Sequence, residues 1–332
     1  NVDQDCVINA VDVSTIYELP LILHEEGLDQ RIVEKLNIWT GTPNLKPWQR
    51  IVETIATPKN GSVTLAMVGK YVDLTESYKS LSEALHHGGF ANDCNVNIVY
   101  IDSEEIEKQG FEQLIARETD GYGIDAILIP GGFGSRGSEG KVTAARYARE
   151  HNIPYFGICL GLQMAVIEFA RNIAGLTNAT SAEFDPDSKE AVIDLMESQR
   201  KVRDKGGSMR LGAYPCVLTK DTLTYSIYKK GEISERHRHR FEFNNDFREQ
   251  LEKAGLIIAG TSPNKELVEI IELPEHPWFI GVQFHPEFSS TPRDPHPLFT
   301  SFVKASLAYR KKRLSSDKST EEQRLHVVKS KK

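Results

Sequence analysis

The sequence lacks the features that mark membrane proteins, secreted proteins and nucleic-acid-binding proteins. No apolar run approaches the ~20 residues of a membrane-spanning helix, so we expect no membrane partner. The first residues, Asn-Val-Asp-Gln-Asp, have neither the basic start nor the apolar core of a signal peptide. They also lack an initiator Met, which favours a processed chain or a fragment. The formal net charge of −7 gives no general electrostatic reason to expect nucleic acid as a partner.

Cysteine is also scarce, and its spacing excludes two kinds of site. The separations of the four cysteines fit neither a zinc site nor a dense disulfide framework: Cys6, Cys94, Cys159 and Cys216. We therefore predict no metal ion and a reducing, cytoplasmic setting. With 332 residues, 39% of them hydrophobic and 26% charged, the composition is that of an ordinary soluble globular protein with one or two domains.

The first 60 residues differ from the rest of the chain. Residues 1–40 hold eight acidic and two basic residues. Apolar residues at helical spacing in 16–23 and 28–38 predict two short helices whose apolar faces need a partner. Prolines near residue 45 indicate a linker, which we place at 45–60.

The middle of the chain alternates between short apolar runs and amphipathic stretches. Runs near residues 63, 96, 126 and 155 predict strands, each followed by a predicted helix. This alternation predicts an α/β fold with a parallel sheet covered on both faces. From residue 210 the chain becomes richer in predicted strands, and a helix over 297–309 closes the domain. Residues 310–332 hold nine basic and three acidic residues, so we predict a disordered basic tail there.

A cysteine lies where a predicted strand ends and a helix begins. Residues 157–161 read Gly-Ile-Cys-Leu-Gly, the G-x-nucleophile-x-G arrangement of a nucleophile elbow. Such a turn strains the backbone of the nucleophile, and side chains at the flanking glycines would clash. The following helix N-terminus favours the thiolate over the thiol. We therefore predict Cys159 as a nucleophile, although a lone cysteine in an apolar run is more often a small buried hydrophobe.

A His-x-Glu pair follows another predicted strand, within Gln-Phe-His-Pro-Glu-Phe at 283–288. His285 can accept the thiol proton and return it to a leaving amine. Glu287 lies on the same side of an extended chain, where its carboxylate can fix the imidazole tautomer. Nine other histidines read as polar surface, but this pair beside a plausible nucleophile predicts a Cys159–His285–Glu287 triad.

A glycine-rich segment follows a third predicted strand at the same edge of the sheet. It reads Pro-Gly-Gly-Phe-Gly at 130–134. Glycines let backbone N–H groups approach a reacting carbonyl closely. We predict that the N–H groups of Gly132 and Leu160 form an oxyanion hole; the alternative is a tight loop that needs only flexibility.

These three segments, in this order, resemble the class I (triad) glutamine amidotransferases. Three further segments are similar to the CTP synthases within that family: Met-Arg-Leu-Gly at 209–212, Arg-His-Arg-His-Arg-Phe-Glu at 236–242 and Phe-Ser-Ser-Thr-Pro-Arg-Asp at 288–294. The resemblance covers about residues 8–308. It implies an amidotransferase-like α/β fold with a mostly parallel central sheet and helices on both faces.

The resemblance also implies a domain organisation and a substrate. Residues 1–44 would be the end of a synthetase domain and its linker, and 61–309 a glutaminase domain. The implied substrate is L-glutamine, bound by Gly132, Phe133, Leu160, Gln163, Glu183 and Arg240. Arg240 would hold the α-carboxylate, which suits its planar fork. On a strand, the alternating run 236–240 would put its arginines on one face and its two histidines on the other, and its alternative interpretation is a basic nucleic-acid patch.

Further components follow from the resemblance alone. The implied activity is hydrolysis of glutamine, with the ammonia passed to the synthetase domain of the same full-length chain for ATP-dependent amination of UTP to CTP. ATP and Mg would bind that domain, and this chain, which has no ATP phosphate loop, would hold no cofactor. GTP would act as an allosteric activator near Arg136 and Glu139, which otherwise belong to a solvated loop. The full-length protein would form homotetramers and filaments.

Two alternatives remain open from the sequence. One is a free-standing γ-glutamyl hydrolase of the same fold, which would prefer γ-glutamyl peptides or folates to free glutamine. The other is a non-catalytic module for assembly or regulation, in which Cys159 would not be unusually reactive.

Overall fold

The computed structural model describes residues 3–9, 11–70, 75–195 and 209–329, with the backbone alone for 5, 75 and 316–329. The described part contains α-helices numbered α1 to α11 in chain order: Leu19–Glu25, Leu28–Lys35, Lys46–Ala56, Lys79–Ala91, Ser103–Gln109, Phe111–Glu118, Ser138–Glu150, Leu160–Asn172, Leu223–Tyr228, Arg248–Lys253 and Pro297–Lys329. It also contains strands numbered β1 to β12: Ser62–Gly69, Asn95–Asp102, Ala126–Ile129, Tyr155–Ile158, Thr180–Ser181, Ala191–Leu195, Arg210–Leu218, Glu232–His239, Phe241–Phe243, Ile257–Thr261, Val268–Glu272 and Phe279–Val282. No helix in this part is long and apolar enough to cross a membrane.

A nine-stranded sheet runs through the centre of the molecule in the order β2-β1-β3-β4-β12-β11-β10-β7-β8. The strands from β2 to β12 in that order are parallel. The strands from β11 to β8 continue the sheet in antiparallel fashion. The predicted α/β class is therefore confirmed, and the predicted parallel character belongs to the half of the sheet that includes β4. A second, small sheet pairs β5, β6 and β9.

Helices cover both faces of the central sheet, as the sequence predicts. Residues along β1 alternate between two hydrophobic clusters, because successive side chains of a strand point to opposite faces. Leu65 and Met67 lie in the cluster that includes α4 and α11. Ala66 and Val68 lie in the cluster that includes α5 to α8. The neighbouring strands β3 and β4 are buried throughout, as expected of parallel strands covered on both sides.

The outermost strand, β8, alternates between exposed and buried residues along its whole length. His237 and His239 are buried while Arg236 and Arg238 face solvent, which confirms the predicted alternation. Although β8 and β12 are well separated in the sheet, the Arg236 carbonyl accepts a hydrogen bond of 2.7 Å from the N–H of His285. The antiparallel half of the sheet is therefore curved, and its last strand, β8, contacts the segment that follows β12.

The predicted linker over 45–60 contains a helix, α3, that the sequence pattern did not indicate. Pro47 lies in the first turn of α3. Backbone N–H groups in that turn have no acceptor within the helix, so the N–H that proline lacks is not needed there. Ile51 is 5% exposed and packs with Tyr17 and Phe90. The proline that indicated a break therefore lies at the start of a helix. Through its contact with Tyr17, α3 attaches residues 11–45, called the first segment below, to the rest of the molecule. The two short helices predicted before it are present as α1 and α2.

The last helix, α11, extends beyond residue 309, where the sequence predicts a disordered tail. Arg313 Nη2 donates a hydrogen bond of 2.8 Å to Asp125 Oδ1, and Asp125 is 1% exposed. The prediction of disorder is therefore wrong for residues 310–315. It rests on charge composition, which cannot register that a basic residue has a buried acidic partner. The side chains of 316–329, and all of 330–332, lie outside the described residues.

Candidate active site

Cys159 lies between β4 and α8, at the carboxyl edge of the parallel strands. Its backbone has φ 52° and ψ −100°, a conformation that side-chain-bearing residues rarely adopt. A Cβ at Gly157 would lie 2.6 Å from the Gly161 carbonyl oxygen, and one at Gly161 would lie 2.2 Å from the Ile129 oxygen. Both contacts are impossibly short, so the two glycines are required. The geometry of the predicted nucleophile elbow is thus confirmed.

His285 follows β12, which pairs in parallel with β4, so it reaches the same edge of the sheet as Cys159. The predicted extended chain is wrong here: residues Pro286–Ser289 form a 3₁₀ turn, and this turn brings Glu287 back towards the imidazole. Glu287 Oε1 lies 2.8 Å from His285 Nδ1, and the two side chains are 9% and 13% exposed. Because Nδ1 is engaged by the carboxylate, Nε2 is the ring nitrogen left for the sulfur of Cys159.

The electrostatics of this pair favour a charged imidazole. Burial lowers the pKa of His285, but the neighbouring Cys159 sulfur and the Glu287 carboxylate raise it more, to about 10. His285 is therefore protonated at neutral pH. A cationic imidazole beside a thiol favours the thiolate, which is the nucleophilic form.

The glycine-rich loop over 130–134 lies beside the nucleophile, because β3 is the other parallel neighbour of β4. A Cβ at Gly132 would lie 3.3 Å from Leu160 Cδ2, so the two residues predicted to supply the oxyanion hole are neighbours. Lys70 Nζ donates to the carbonyls of Phe133, at 2.6 Å, and Gly134, at 3.1 Å. Glu183 Oε1 accepts the N–H of Gly134 at 2.7 Å. One cation and one carboxylate thus hold this loop in place.

A cavity of about 210 Å³ opens where these elements meet. The residues that line it include Cys159, His285, Glu287, Phe133 and Gly132. This volume suits a small molecule rather than a polymer. Phe133 itself is 45% exposed, so the mouth of the cavity is partly apolar.

The residues predicted to bind the amino-acid end of a substrate lie near this cavity but differ in how they are engaged. Gln163 Nε2 donates to the Phe241 carbonyl at 3.0 Å and to Gln283 Oε1 at 3.3 Å, so both of its amide hydrogens are used within the protein. A ligand would therefore meet its carbonyl oxygen. Burial raises the pKa of Glu183, while the Gly134 N–H, Lys70 and Arg240 lower it. Arg240 thus lies close enough to Glu183 for the two to interact electrostatically.

Neither predicted effector residue is among those that line the Cys159 cavity: Arg136 precedes α7, and Glu139 lies in the first turn of that helix. Arg136 is 61% exposed and forms an ion pair of 2.8 Å with Glu104. Glu139 is 60% exposed and accepts two hydrogen bonds from Arg171, at 2.7 and 3.1 Å. Their proposed role in binding GTP stays a prediction.

Two further residues shape the site and were not predicted from the sequence. Gln283 is fully buried, and its Nε2 lies 3.7 Å from Cys159 Sγ, within the range of a weak hydrogen bond to sulfur. It directly precedes the Phe-His-Pro-Glu motif, so its position at a strand end was a usable signal. Lys70 follows β1, and no sequence pattern connects it with a loop some sixty residues further on.

Strands β7, β8 and β11 together contribute a cluster of buried charged and imidazole side chains. Arg210 Nη1 donates to Glu269 Oε1 at 2.6 Å, and the side chains are 8% and 0% exposed. His237 Nδ1 lies 2.9 Å from His239 Nε2. Burial, and then Arg210, lower the pKa of His237 to about 2 and that of His239 to about 3. The histidines are therefore neutral, and Arg210 compensates the charge of Glu269.

Comparisons with known proteins identify the family of the chain. The glutamine amidotransferase class-I family model matches residues 73–305. A CTP synthase of Trichlorobacter lovleyi is 57% identical over 313 residues, which are 94% of this chain and 57% of that protein. A CTP synthase of Pelobacter propionicus is 58% identical over 310 residues, with coverages of 93% and 57%. The chain therefore spans little more than half the length of the curated relatives that it matches.

A solved structure gives the same result. The structure described as the Trypanosoma brucei CTPS glutaminase domain with bound acivicin is 42% identical, with a TM-score of 0.67. The match covers 74% of this chain and 93% of that one, which is nearly the whole of the solved domain. The family model and these relatives show that the chain belongs to the class-I glutamine amidotransferase family, on its CTP synthase branch.

Proposed function

We propose that this chain hydrolyses L-glutamine to glutamate and ammonia, with Cys159 as nucleophile, His285 as acid and base, and Glu287 as the group that orients His285. The observation that carries the proposal is the convergence of the three side chains at one edge of the sheet. The Nδ1–Oε1 distance of 2.8 Å fixes the imidazole, and the cavity of about 210 Å³ gives the sulfur access to a small amide.

The reaction follows from these positions. The Cys159 thiolate attacks the side-chain amide carbon of glutamine, and the backbone N–H groups of Gly132 and Leu160 stabilise the resulting oxyanion. His285 gives its proton to the amide nitrogen, so the C–N bond breaks and ammonia leaves. A glutamyl thioester remains on the sulfur. Water then attacks the thioester while His285 takes its proton, which releases glutamate and restores the thiolate.

The fate of the ammonia is the second part of the proposal. The curated relatives are described as CTP synthases, and this chain corresponds to 57% of their length. A synthetase domain would supply the remainder and would use the ammonia for ATP-dependent amination of UTP. The first segment, through α3, would then connect the two domains, since it already packs on Phe90 of α4.

Ammonia release from glutamine tests the first part directly. The native chain is expected to release ammonia and glutamate in equal amounts, and Cys159→Ala is expected to release none. Cys94→Ala is the matched control. Burial raises the pKa of that thiol to about 11, and Cys94 lies in the cluster beneath α4. A faster rate with γ-glutamyl peptides than with free glutamine would contradict the proposal and favour a free-standing γ-glutamyl hydrolase.

Covalent labelling separates an enzyme from a non-catalytic module. A diazo-ketone analogue of glutamine is expected to modify Cys159 in the native chain and in Cys94→Ala, as located by peptide mass spectrometry. An unmodified Cys159, together with an absence of ammonia release, would favour a module for assembly or regulation.

A further inference from the structure

A chain of hydrogen bonds connects the first segment of the protein to the turn that carries Glu287. Tyr17 Oη lies 3.2 Å from His87 Nε2, and His87 Nδ1 lies 3.0 Å from Ser290 Oγ. Ser290 follows the 3₁₀ turn Pro286–Ser289, and its N–H donates to the carbonyl of Glu287 at 3.4 Å. None of Tyr17, His87 and Ser290 is among the residues that line the Cys159 cavity.

The direction of the hydrogen bonds is set at one end by Glu83. Tyr17 Oη is 2.5 Å from Glu83 Oε2, and a carboxylate can only accept, so the phenol donates to it. The phenol oxygen then accepts from His87, which places the imidazole proton on Nε2. In a neutral ring Nδ1 is consequently an acceptor, so the Ser290 hydroxyl donates to it.

Two further contacts agree with this direction. The N–H of His296 donates to Ser290 Oγ at 3.2 Å, so the serine oxygen accepts there while its hydrogen points to His87. His87 is 6% exposed, and its burial, opposed by Glu83 and reinforced by His86, lowers its pKa to about 4. The ring is therefore neutral at physiological pH, as the assignment requires.

The chain is held in place by packing. Tyr17 is 9% exposed, and its ring meets Phe90 edge to face at 5.1 Å and stacks on Trp48 at 6.4 Å between centroids. Trp48 belongs to α3 and Phe90 to α4, so the phenol is fixed between two helices. Hydrogen bonds among buried groups are electrostatically stronger than those in water.

We propose that His87 is a positioning residue for the catalytic turn. Tyr17 holds its imidazole in the tautomer whose Nδ1 accepts from Ser290, and Ser290 in turn holds the backbone of Glu287 at the distance that orients His285. The first segment of the chain therefore contributes to glutamine hydrolysis without touching the cavity. The effect on glutamine hydrolysis rests on the proposed function, whereas the positioning of the turn can be measured without glutamine.

A double-mutant cycle on the whole chain tests the proposal. Tyr17→Phe removes the phenol oxygen but keeps the ring. Ser290→Ala removes the hydroxyl that donates a hydrogen bond to His87 Nδ1. Tyr122→Phe is the matched control, because the Tyr122 side chain is 78% exposed. Two rates are measured for each variant: ammonia release at saturating glutamine, and alkylation of Cys159 by iodoacetamide at neutral pH. Thermal unfolding of each variant is recorded alongside.

Each single variant is expected to slow both rates by about 2- to 10-fold, the equivalent of one hydrogen bond, with KM for glutamine unchanged. The double variant is expected to be no slower than the slower single one, because both changes remove the same connection. Tyr122→Phe keeps the native rates. If either single variant keeps the native rates, or if the double variant shows the product of the two fold-changes, His87 does not position the turn.

Substitution of His87 distinguishes positioning from packing. Asn presents an acceptor near the place of Nδ1, whereas Gln presents its polar group near that of Nε2. Iodoacetamide is therefore expected to alkylate Cys159 faster in His87→Asn than in His87→Gln. The reverse order would overturn the proposal. A native chain that hydrolyses no glutamine would contradict the proposed function. The alkylation comparison would still decide the role of His87, because iodoacetamide does not need to bind at a glutamine site.

Discussion

Gly131 lies in the glycine-rich loop directly beside the imidazole of His285, and an alanine there is predicted to disable the proposed site without unfolding the protein. A Cβ on Gly131 would lie 2.7 Å from His285 Cε1 and 3.4 Å from Cys159 Cβ. The first distance is about 0.7 Å shorter than the 3.4 Å at which ordinary van der Waals contact begins. The imidazole would therefore have to move by a comparable amount.

That movement is not free, because His285 is held on its other side. Its Nδ1 hydrogen bond to Glu287 is 2.8 Å long, and its ring lies 5.7 Å from that of Phe288. A misplacement of about 1 Å at a reacting group can lower a rate about 100-fold. We expect Gly131→Ala to reduce kcat for glutamine hydrolysis by about that factor.

The neighbouring glycine supplies the comparison. A Cβ on Gly132 would lie 3.3 Å from Leu160 Cδ2, the end of a flexible side chain that can turn away at about 0.5–1.5 kcal/mol. Gly132→Ala is expected to lower kcat by at most about tenfold. Gly231→Ala, where nothing lies within 4 Å of the added Cβ, should keep the native rate. Ammonia release and thermal unfolding are measured for all three. A native kcat in Gly131→Ala would refute the argument from this contact.

Two other predictions concern stability, and urea unfolding checks both. The pKa of His285 is raised from 6.5 to about 10, so its contribution to stability is fully present below pH 6.5 and is lost as pH rises through 10. Glu287→Gln, which removes a carboxylate that raises this pKa, should weaken that loss between pH 8 and 10; an unchanged pH dependence would contradict the assignment. Arg210→Met would leave Glu269 buried without its cation, and a loss of about 3–5 kcal/mol is expected. Its control, Arg146→Met, removes an exposed i,i+4 pair with Glu150 and should cost about 0.5 kcal/mol or less; equal losses would argue against the buried pair.

The parts of the site that could be predicted from the sequence depend on neighbours in the chain. The elbow at Cys159 follows from its two flanking glycines. Glu287 was expected beside His285 because it is two residues away, although the contact is made by a 3₁₀ turn and not by the extended chain that was predicted. The burial of His237 and His239 also follows from nearby residues, because successive side chains of a strand point to opposite faces. In each case the backbone geometry of a few consecutive residues determines where the side chains point.

The parts that could not be predicted depend on residues far apart in the chain. Lys70 holds the carbonyl of Phe133 across 63 positions, and Gln163 turns its amide towards Gln283 across 120. Composition was misleading for the same reason: Pro47 begins a helix because Tyr17 and Phe90 receive its apolar face. The sequence pattern gives the type of each element, whereas the partners of its polar side chains are decided by tertiary packing.

The anchoring of α11 determines where the protein can be shortened or joined to another one. Asp125 lies at the amino edge of the sheet, opposite Cys159, and accepts hydrogen bonds from the N–H of Thr64 and from Arg313. A chain cut after residue 309 would keep every residue of the proposed triad but would leave the Asp125 carboxylate buried beside β1 without its cation. A fluorescent protein or affinity tag is therefore better attached after residue 315, where the ion pair stays intact.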